Sequence, residues 1–318
     1  MKRILPAHPR RTARLFAAWL ASAVLVVCWR DVPAVDDRAA LPDEPAADAP
    51  AAAAPPAAAA SEPKAASPRH DIEGAIGPMV SISPEYQGAA RWAIKVTPGV
   101  FIRWGRFTIT NAGGFVTRRD DDVMRGLAAD LLRTERWRAN LALRIDSGRR
   151  SSESAALTGV EDVPRTVRGR LIVSRWFDAG WGATLGTSTD LLGRGGGTLV
   201  DFGPTKDIPL PLAEPWRRTR ISLGFAVTGA DRRYMQSYFG VTAQESAATG
   251  YPEYSPGSGL RDVSAGISLR GHYGDHWVGY IGTGASRLLG PARDSPLTKQ
   301  VWSWGVNAGL AYRFYWGQ

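Results

Sequence analysis

Cysteine is almost missing from this chain. Cys28 is the single example in 318 residues, and it lies in an N-terminal apolar run. If that run is removed on export, the mature chain has no thiol, which excludes a disulfide framework, a cysteine nucleophile and any metal site built on cysteine. Histidine is nearly as scarce, with His8, His70, His272 and His276 as the only four. Long apolar runs are absent as well: beyond residue 71 no stretch of eighteen occurs, so membrane-spanning helices are excluded while spanning strands are not. The formal charge of +9 falls to +4, from 33 basic and 29 acidic residues, once the first 34 residues are set aside. That balance gives no footprint for nucleic acid.

What the first 70 residues contain points to export. Lys2, Arg3, Arg10, Arg11 and Arg14 precede the apolar run Leu15 to Cys28, the layout of a signal peptide and too short for a permanent span. Val32-Pro33-Ala34 places small residues where signal peptidase cuts, so residues 1–34 are read as a signal peptide cleaved after Ala34. Residues 35–70, rich in Ala, Pro, Asp and Glu and free of aromatics, cannot bury enough apolar surface to offset ordering, and are expected to form a disordered periplasmic tether.

From residue 71 to 318 the sequence turns to strands of period two, spaced for a bilayer. In the last, Trp302, Trp304, Val306, Ala308, Leu310, Tyr312 and Phe314 alternate with Ser303, Gly305, Asn307, Gly309, Ala311 and Arg313. Trp92 to Ile102 alternates too, except that Phe101 breaks the polar side. Trp137 to Ile145 opposes Arg138, Asn140 and Arg144; Val167 to Phe177 opposes Arg168 and Arg170; Thr219 to Val227 opposes Arg218 and Arg220. Weaker strands are expected near 72–83, 105–116, 124–133, 180–190, 195–203, 260–272 and 276–288. The fold class is therefore all-β: a transmembrane antiparallel up-and-down barrel of about twelve strands, or ten if 124–133 and 195–203 do not pair. An even count returns both ends to the periplasm, with short turns there and the long connections 147–162, 229–259 and 289–300 outside. The connection 204–215, with four prolines, is long for a periplasmic turn. Trp92, Trp104, Trp137, Trp176, Trp216, Trp277 and Trp302 fall near strand ends, as a headgroup girdle requires.

An inward column of Arg138, Arg144, Arg168, Arg170, Arg218 and Arg220 would favour anions if it faces water. In a narrow barrel it pairs with carboxylates such as Asp130, Asp146 and Asp262 and fills the interior. No enzyme is expected, because no histidine lies near a nucleophile at the outer rim. His272, Asp275 and His276 read as turn residues rather than a metal site, Gly193 to Gly197 as an outer turn rather than a phosphate loop, and no cofactor is expected.

Two further patterns are resemblances. Gly309, Tyr312 and Phe314 resemble the C-terminal signal that hands bacterial outer-membrane barrels to their assembly machinery, although four residues follow Phe314 here. The segment Tyr234-Met235-Gln236-Ser237-Tyr238-Phe239-Gly240-Val241 closely resembles the signature of the MipA/OmpV outer-membrane proteins. Tyr251-Pro252-x-Tyr254, Gly257-x-Gly259-Leu260-x-Asp262-Val263, Pro84-Glu85-Tyr86-x-Gly88, Leu132-Arg133-Thr134, Ser286 to Gly290 and Asp294-Ser295-Pro296 match it in order. The resemblance implies an outer-membrane barrel in contact with outer-membrane lipid, named for interaction with a membrane-bound lytic transglycosylase. It further implies a scaffold that joins this murein hydrolase to a bifunctional penicillin-binding protein. Other members are linked to adhesion, osmotic response and small-solute passage, so a porin-like channel and a surface adhesin stay open as alternatives. The family supplies no catalytic set.

Overall fold

A strand with one apolar and one small or polar face must keep the first from water, and a sheet of such strands removes its unpaired edges only by closing on itself. The computed structural model describes residues 72–111 and 126–317, and there the sheet closes. Its strands are β1 (Ile72–Pro84), β2 (Trp92–Trp104), β3 (Phe107–Thr110), β4 (Gly126–Arg133), β5 (Trp137–Asp146), β6 (Thr166–Trp176), β7 (Trp181–Asp190), β8 (Thr198–Leu210), β9 (Trp216–Ala230), β10 (Gly259–Tyr273), β11 (Trp277–Leu288) and β12 (Trp302–Trp316). Every strand pairs antiparallel with its chain neighbours, and β1 pairs with β12 from Ile72↔Trp316 to Ile82↔Val306. The expected up-and-down barrel of twelve strands is thus the fold. The expected signal peptide and tether lie outside the described residues.

Alternation decides the faces. On β12, Trp302, Trp304, Leu310 and Tyr312 are exposed on the outer wall while Ala311 and Arg313 are buried inside. Ile94, Val96, Leu141, Leu143, Ile145, Leu223 and Phe225 join the outer band. Connections of a few residues, 105–106, 134–136, 177–180, 211–215 and 274–276, all fall at one end, and 85–91, 147–165, 191–197, 231–258 and 289–301 at the other. Among the described residues, three short α-helices lie at the loop end: α1 (Arg232–Phe239), α2 (Ala243–Thr249) and α3 (Gly290–Arg293).

The structure departs from the sequence reading in several places. The eighth strand runs to Leu210, not 203, so the proline-rich connection shrinks from 204–215 to 211–215. Pro204 pairs only with Ala183 of β7, and Pro209 only with Arg220 of β9, β7 having ended opposite Lys206. Each proline stands where one neighbouring ladder is not made, so its missing N–H costs little. Arg218 lies where the β9–β10 register shifts between Arg270 and His272; its φ of 49° puts it in the left-handed region, and it is exposed, unlike the buried Arg138 and Arg168. Trp176 is no girdle residue: it points inward and is buried, with Gly182 opposite leaving room for the indole.

Alternation also continues past Phe314. Tyr315 pairs with Glu73 and lies under the Arg313 guanidinium, 4.6 Å from its ring centre, and Trp316 is exposed on the outer wall. Phe314 itself packs on Gly74, where any side chain would strike its ring. Deleting 315–318 is therefore expected to lower the temperature at which the folded, fast-migrating gel band disappears, because it removes the last two ladder pairs of the closing seam. An unchanged temperature would show that the seam ends functionally at Phe314.

Candidate functional site

The chemistry-bearing residues converge in the barrel interior. At the turn end, Arg313 of β12 donates from Nε and Nη2 to Glu73 Oε1 at 2.9 and 2.6 Å, with both side chains below 9% exposed. His272 of β10 is buried beside them, its Nδ1 3.4 Å from Arg313 Nη1. Directly above, Ala75, Phe101, Val278 and Ala311 form a buried cluster with Met79 against it. Phe101, the residue that breaks the polar face of β2, is thus an interior plug side chain. Next to them, Arg103, which stands opposite Glu73 in the β1–β2 ladder, donates to Asp130 at 3.2 Å, as does Arg133 at 3.3 Å, and Arg138 is buried near the same end.

Mid-barrel, a cavity of about 890 Å³ is bordered by Arg144, Arg170, Arg220 and Arg270. Arg170 Nη2 donates to both oxygens of Asp201, at 2.9 and 3.1 Å. Asp207 accepts from Ser222 Oγ at 2.7 Å and has Arg220 Nη1 at 3.8 Å, an ion pair too long to be a hydrogen bond. Of the carboxylates expected from sequence, Asp146 meets Arg168 at 3.5 Å, Asp262 meets Arg261, and Asp130 meets Arg103 and Arg133. Asp201, Asp207 and Glu73 were missed because their strands are weakly patterned, and nothing local marks them as partners of distant arginines.

Arg168 belongs to the loop end. It is 3% exposed, donates from Nε to Ser188 Oγ at 3.0 Å and from Nη1 to Gly196 O at 2.6 Å, and so ties the 191–197 loop to the wall. Its guanidinium also faces the Tyr234 ring, 5.8 Å from the centre.

The signature segment Tyr234 to Gly240 builds the cap over this end. Asp231 caps α1 by accepting from Tyr234 N at 2.8 Å, and Thr242 with Glu245 forms a capping box on α2. Both signals are legible in the sequence, although the sequence reading has 229–259 only as a long outer connection. α1 turns Met235 and Phe239 fully inward against Leu288 and Ala292. Tyr234 and Tyr238 stack at 4.3 Å, and Arg261 Nη1 donates to Tyr234 Oη at 3.0 Å. Gln236 and Ser237 are half-buried, and Gly240 is buried where a side chain would collide with Gln236.

Other loops latch onto the cap. Ser295 Oγ donates to Phe239 O at 2.6 Å, Arg149 Nη1 to Tyr238 O at 2.9 Å, and Glu161 N to Glu245 Oε1 at 2.8 Å. Burial pushes the Tyr86 hydroxyl up to about 12 and the Tyr238 hydroxyl higher still, and lowers the Arg149 guanidinium. Burial also works against the Glu245 carboxylate, but the N–H groups of Thr242 and Glu161 and the Arg149 charge outweigh it and hold this group below the usual range.

This arrangement can fill a lumen, hold a cap and bind charge. His276, at the turn, stacks on Tyr312 and lies 3.1 Å from Arg313 O, while His272 faces Arg313. Among the described residues no cluster of His, Cys, Asp and Glu has the geometry of a metal site.

No curated protein matches this chain. Solved structures that follow a similar course include the CymD monoaromatic hydrocarbon channel, at 10% identity and a TM-score of 0.37 over 78% of this chain and 89% of that one. OmpT of Vibrio cholerae is similar at 7% identity and a TM-score of 0.32 over 77% and 97%. The outer membrane protein OprD from Pseudomonas aeruginosa is similar at 6% identity and a TM-score of 0.30 over 77% and 94%. The family model described as MltA-interacting protein MipA matches residues 76–314, from the first strand through Phe314, and this outer-membrane barrel belongs to that family.

Proposed function

We propose that this barrel is a structural platform, not an open pore, and that its turn end docks a murein-cleaving lytic transglycosylase on the periplasmic side. The observation that carries this reading is the filling of the interior near both ends: the Glu73–Arg313 pair with Phe101 and its neighbours below, and the Met235–Phe239 face of α1 above. A barrel so filled leaves its turns as the surface a periplasmic enzyme can touch, and the family's name supports that partner. The tether, residues 35–70, adds reach in the same reading. The turns 134–136 and 177–180 border a groove of about 880 Å³ carrying Arg133, Glu135, Arg136, Phe177 and Asp178, which offers a docking surface of both charge signs around an aromatic. A penicillin-binding protein would join through the docked hydrolase.

Purified protein in planar bilayers is expected to give no stable stepwise current, and to capture lytic transglycosylase from envelope extract. Combining Arg136→Glu with Phe177→Ala should weaken that capture about tenfold or more, as for loss of an aromatic and a charged anchor, with the folded gel band retained. Stable steps together with no capture would favour the second reading, a small-solute channel, for which the mid-barrel cavity is the specific support.

A further inference from the structure

On β5, β6 and β7 alternation turns the odd-numbered residues to the outer wall, and on β8 the even-numbered ones, since Asp201 and Asp207 border the cavity while Phe202 and Ile208 are exposed outside. Of these outward residues two are charged, Arg175 on β6 and Lys206 on β8, and both are cations. They stand near the turn end: Arg175 is the last residue but one of β6, and Lys206 lies opposite Trp181, the first residue of β7. A cation on the lipid face is costly at the bilayer midplane and tolerated near the headgroups. Each is held against aromatic rings. The Arg175 guanidinium carbon lies 5.2 Å from the ring centres of both Trp137 and Phe177, and Lys206 Nζ lies 4.8 Å from that of Trp181. Lys206 also donates to Ala179 O in the turn, which draws its ammonium toward the headgroup level.

The register sets the two cations on either side of a notch. Arg175 stands opposite Ala183 of β7, and Ala183 opposite Pro204 of β8. Ala183 is the smallest outward side chain of β7, so the wall is lowest there, with Trp181 rising on its turn side. One row toward the loop end, Val173, Leu185 and Phe202 are aligned across the same three strands and present apolar surface. The strands β6 and β8 are two spacings apart, about 10 Å, a span that one lipid headgroup with its glycerol can cover. A guanidinium carries five N–H donors and an ammonium three, so contacts within the protein do not exhaust them. Glu135 and Asp178 belong to the turns beyond these strand ends, and Asp207, next to Lys206 in the chain, points inward to Ser222 Oγ.

From these two ring-held cations on the lipid face we infer that this patch of the wall binds an anionic phospholipid of the periplasmic leaflet. The phosphodiester oxygens accept hydrogen bonds from Arg175 and Lys206, the glycerol rests in the notch at Ala183, and the acyl chains run along Val173, Leu185 and Phe202. The rings of Trp137, Phe177 and Trp181 hold the cations in place before the lipid arrives, so less freedom is lost on binding. A zwitterionic phospholipid brings an ammonium of its own toward the same two cations and is the poorer ligand. The site rests on the turns lying on the periplasmic side. It does not need a docked hydrolase, and its test is separate from capture of that enzyme.

The test is native mass spectrometry of the full mature chain, refolded in detergent with equal amounts of phosphatidylglycerol and phosphatidylethanolamine of identical acyl chains. The folded barrel should retain phosphatidylglycerol at least tenfold more than phosphatidylethanolamine. Arg175→Gln combined with Lys206→Gln should abolish that preference. Arg287→Gln removes an exposed cation that also lies over a tryptophan, Trp302, but at the loop end, and should leave the preference unchanged. Ala183→Leu, which fills the notch without changing charge, should lower phosphatidylglycerol retention at least threefold, and it makes the test if the double variant does not fold. Equal retention of the two phospholipids by the wild-type barrel, a preference that survives in the folded double variant, its loss in Arg287→Gln, or full retention by Ala183→Leu would overturn the proposal. So would a preference for lipid A over phosphatidylglycerol that depends on Arg175 and Lys206, because it would place this end of the barrel in the outer leaflet.

Discussion

Arg313→Ala is expected to be among the most damaging single substitutions in this barrel, lowering the stability of the folded state by roughly 3–5 kcal/mol. The guanidinium and the Glu73 carboxylate are 4% and 8% exposed, their hydrogen bonds join β12 to β1, and this is the seam on which closure depends. Removing the arginine leaves a carboxylate in the interior with its strongest partner gone. It also removes the group that His272 and Tyr315 pack against. Because a buried charge that loses a close partner costs more than an absent pair, the double substitution Glu73→Gln with Arg313→Gln should be less harmful than Arg313→Ala alone. Heat-modifiable gel mobility in detergent measures all three. A wild-type transition temperature for Arg313→Ala would mean that the pair is open to water and that the seam is held by its ladder alone.

Leu223→Arg should come next, at roughly 2–4 kcal/mol for a charge brought to the lipid face near the bilayer midplane. Leu223 is 39% exposed on the outer wall, paired with Ile267 on β10 and Lys206 on β8, well inside the span of β9. Arg220→Leu, three residues earlier on the inward face, removes one cavity charge and should disturb assembly much less. Outer-membrane insertion in cells and gel mobility after refolding read both variants. Equal defects would mean that the two residues do not face opposite sides of the wall.

Those two substitutions also mark what is readable along the chain. Leu223 and Arg220 are assigned to faces by alternation alone, because a period of two needs no knowledge of the neighbouring strand. The same reasoning reaches its limit two residues away. Arg218 is counted with the inward column, but it falls at a break in the β9–β10 register, with a left-handed backbone and an exposed side chain. A bulge depends on how two strands are aligned, and one strand's pattern does not contain that information. Trp176 fails for a related reason: near a strand end an indole suits either the headgroup region or a gap in the interior, and the gap exists because Gly182 lies opposite.

The cap shows a different limit. Asp231 and the Thr242–Glu245 pair announce helix starts in the sequence, yet the signature residues between and around them read as a loop with aromatics. Their purpose is visible only when Met235 and Phe239 meet Leu288 and Ala292 from a connection that lies some fifty residues on, and when Arg168 and Arg261 bring charge to the Tyr234 ring. Local signals specify where a helix begins; they do not specify what its buried face meets.

The sequence by itself determined the class of the protein, narrowed its strands to twelve or ten, and set which face of most strands is apolar and which end carries the long connections. These follow from a period of two, from strand lengths and from turn residues, all of them properties of neighbouring positions. Only the tertiary structure decided that Arg313 joins Glu73 across the closing seam, that Phe101 fills the interior, that Asp201 and Asp207 answer Arg170 and Arg220, and that the signature segment forms a cap. The physical reason is closure: bending twelve strands into a ring brings together side chains from distant parts of the chain, and their pairing depends on register and curvature that arise only when the last strand meets the first.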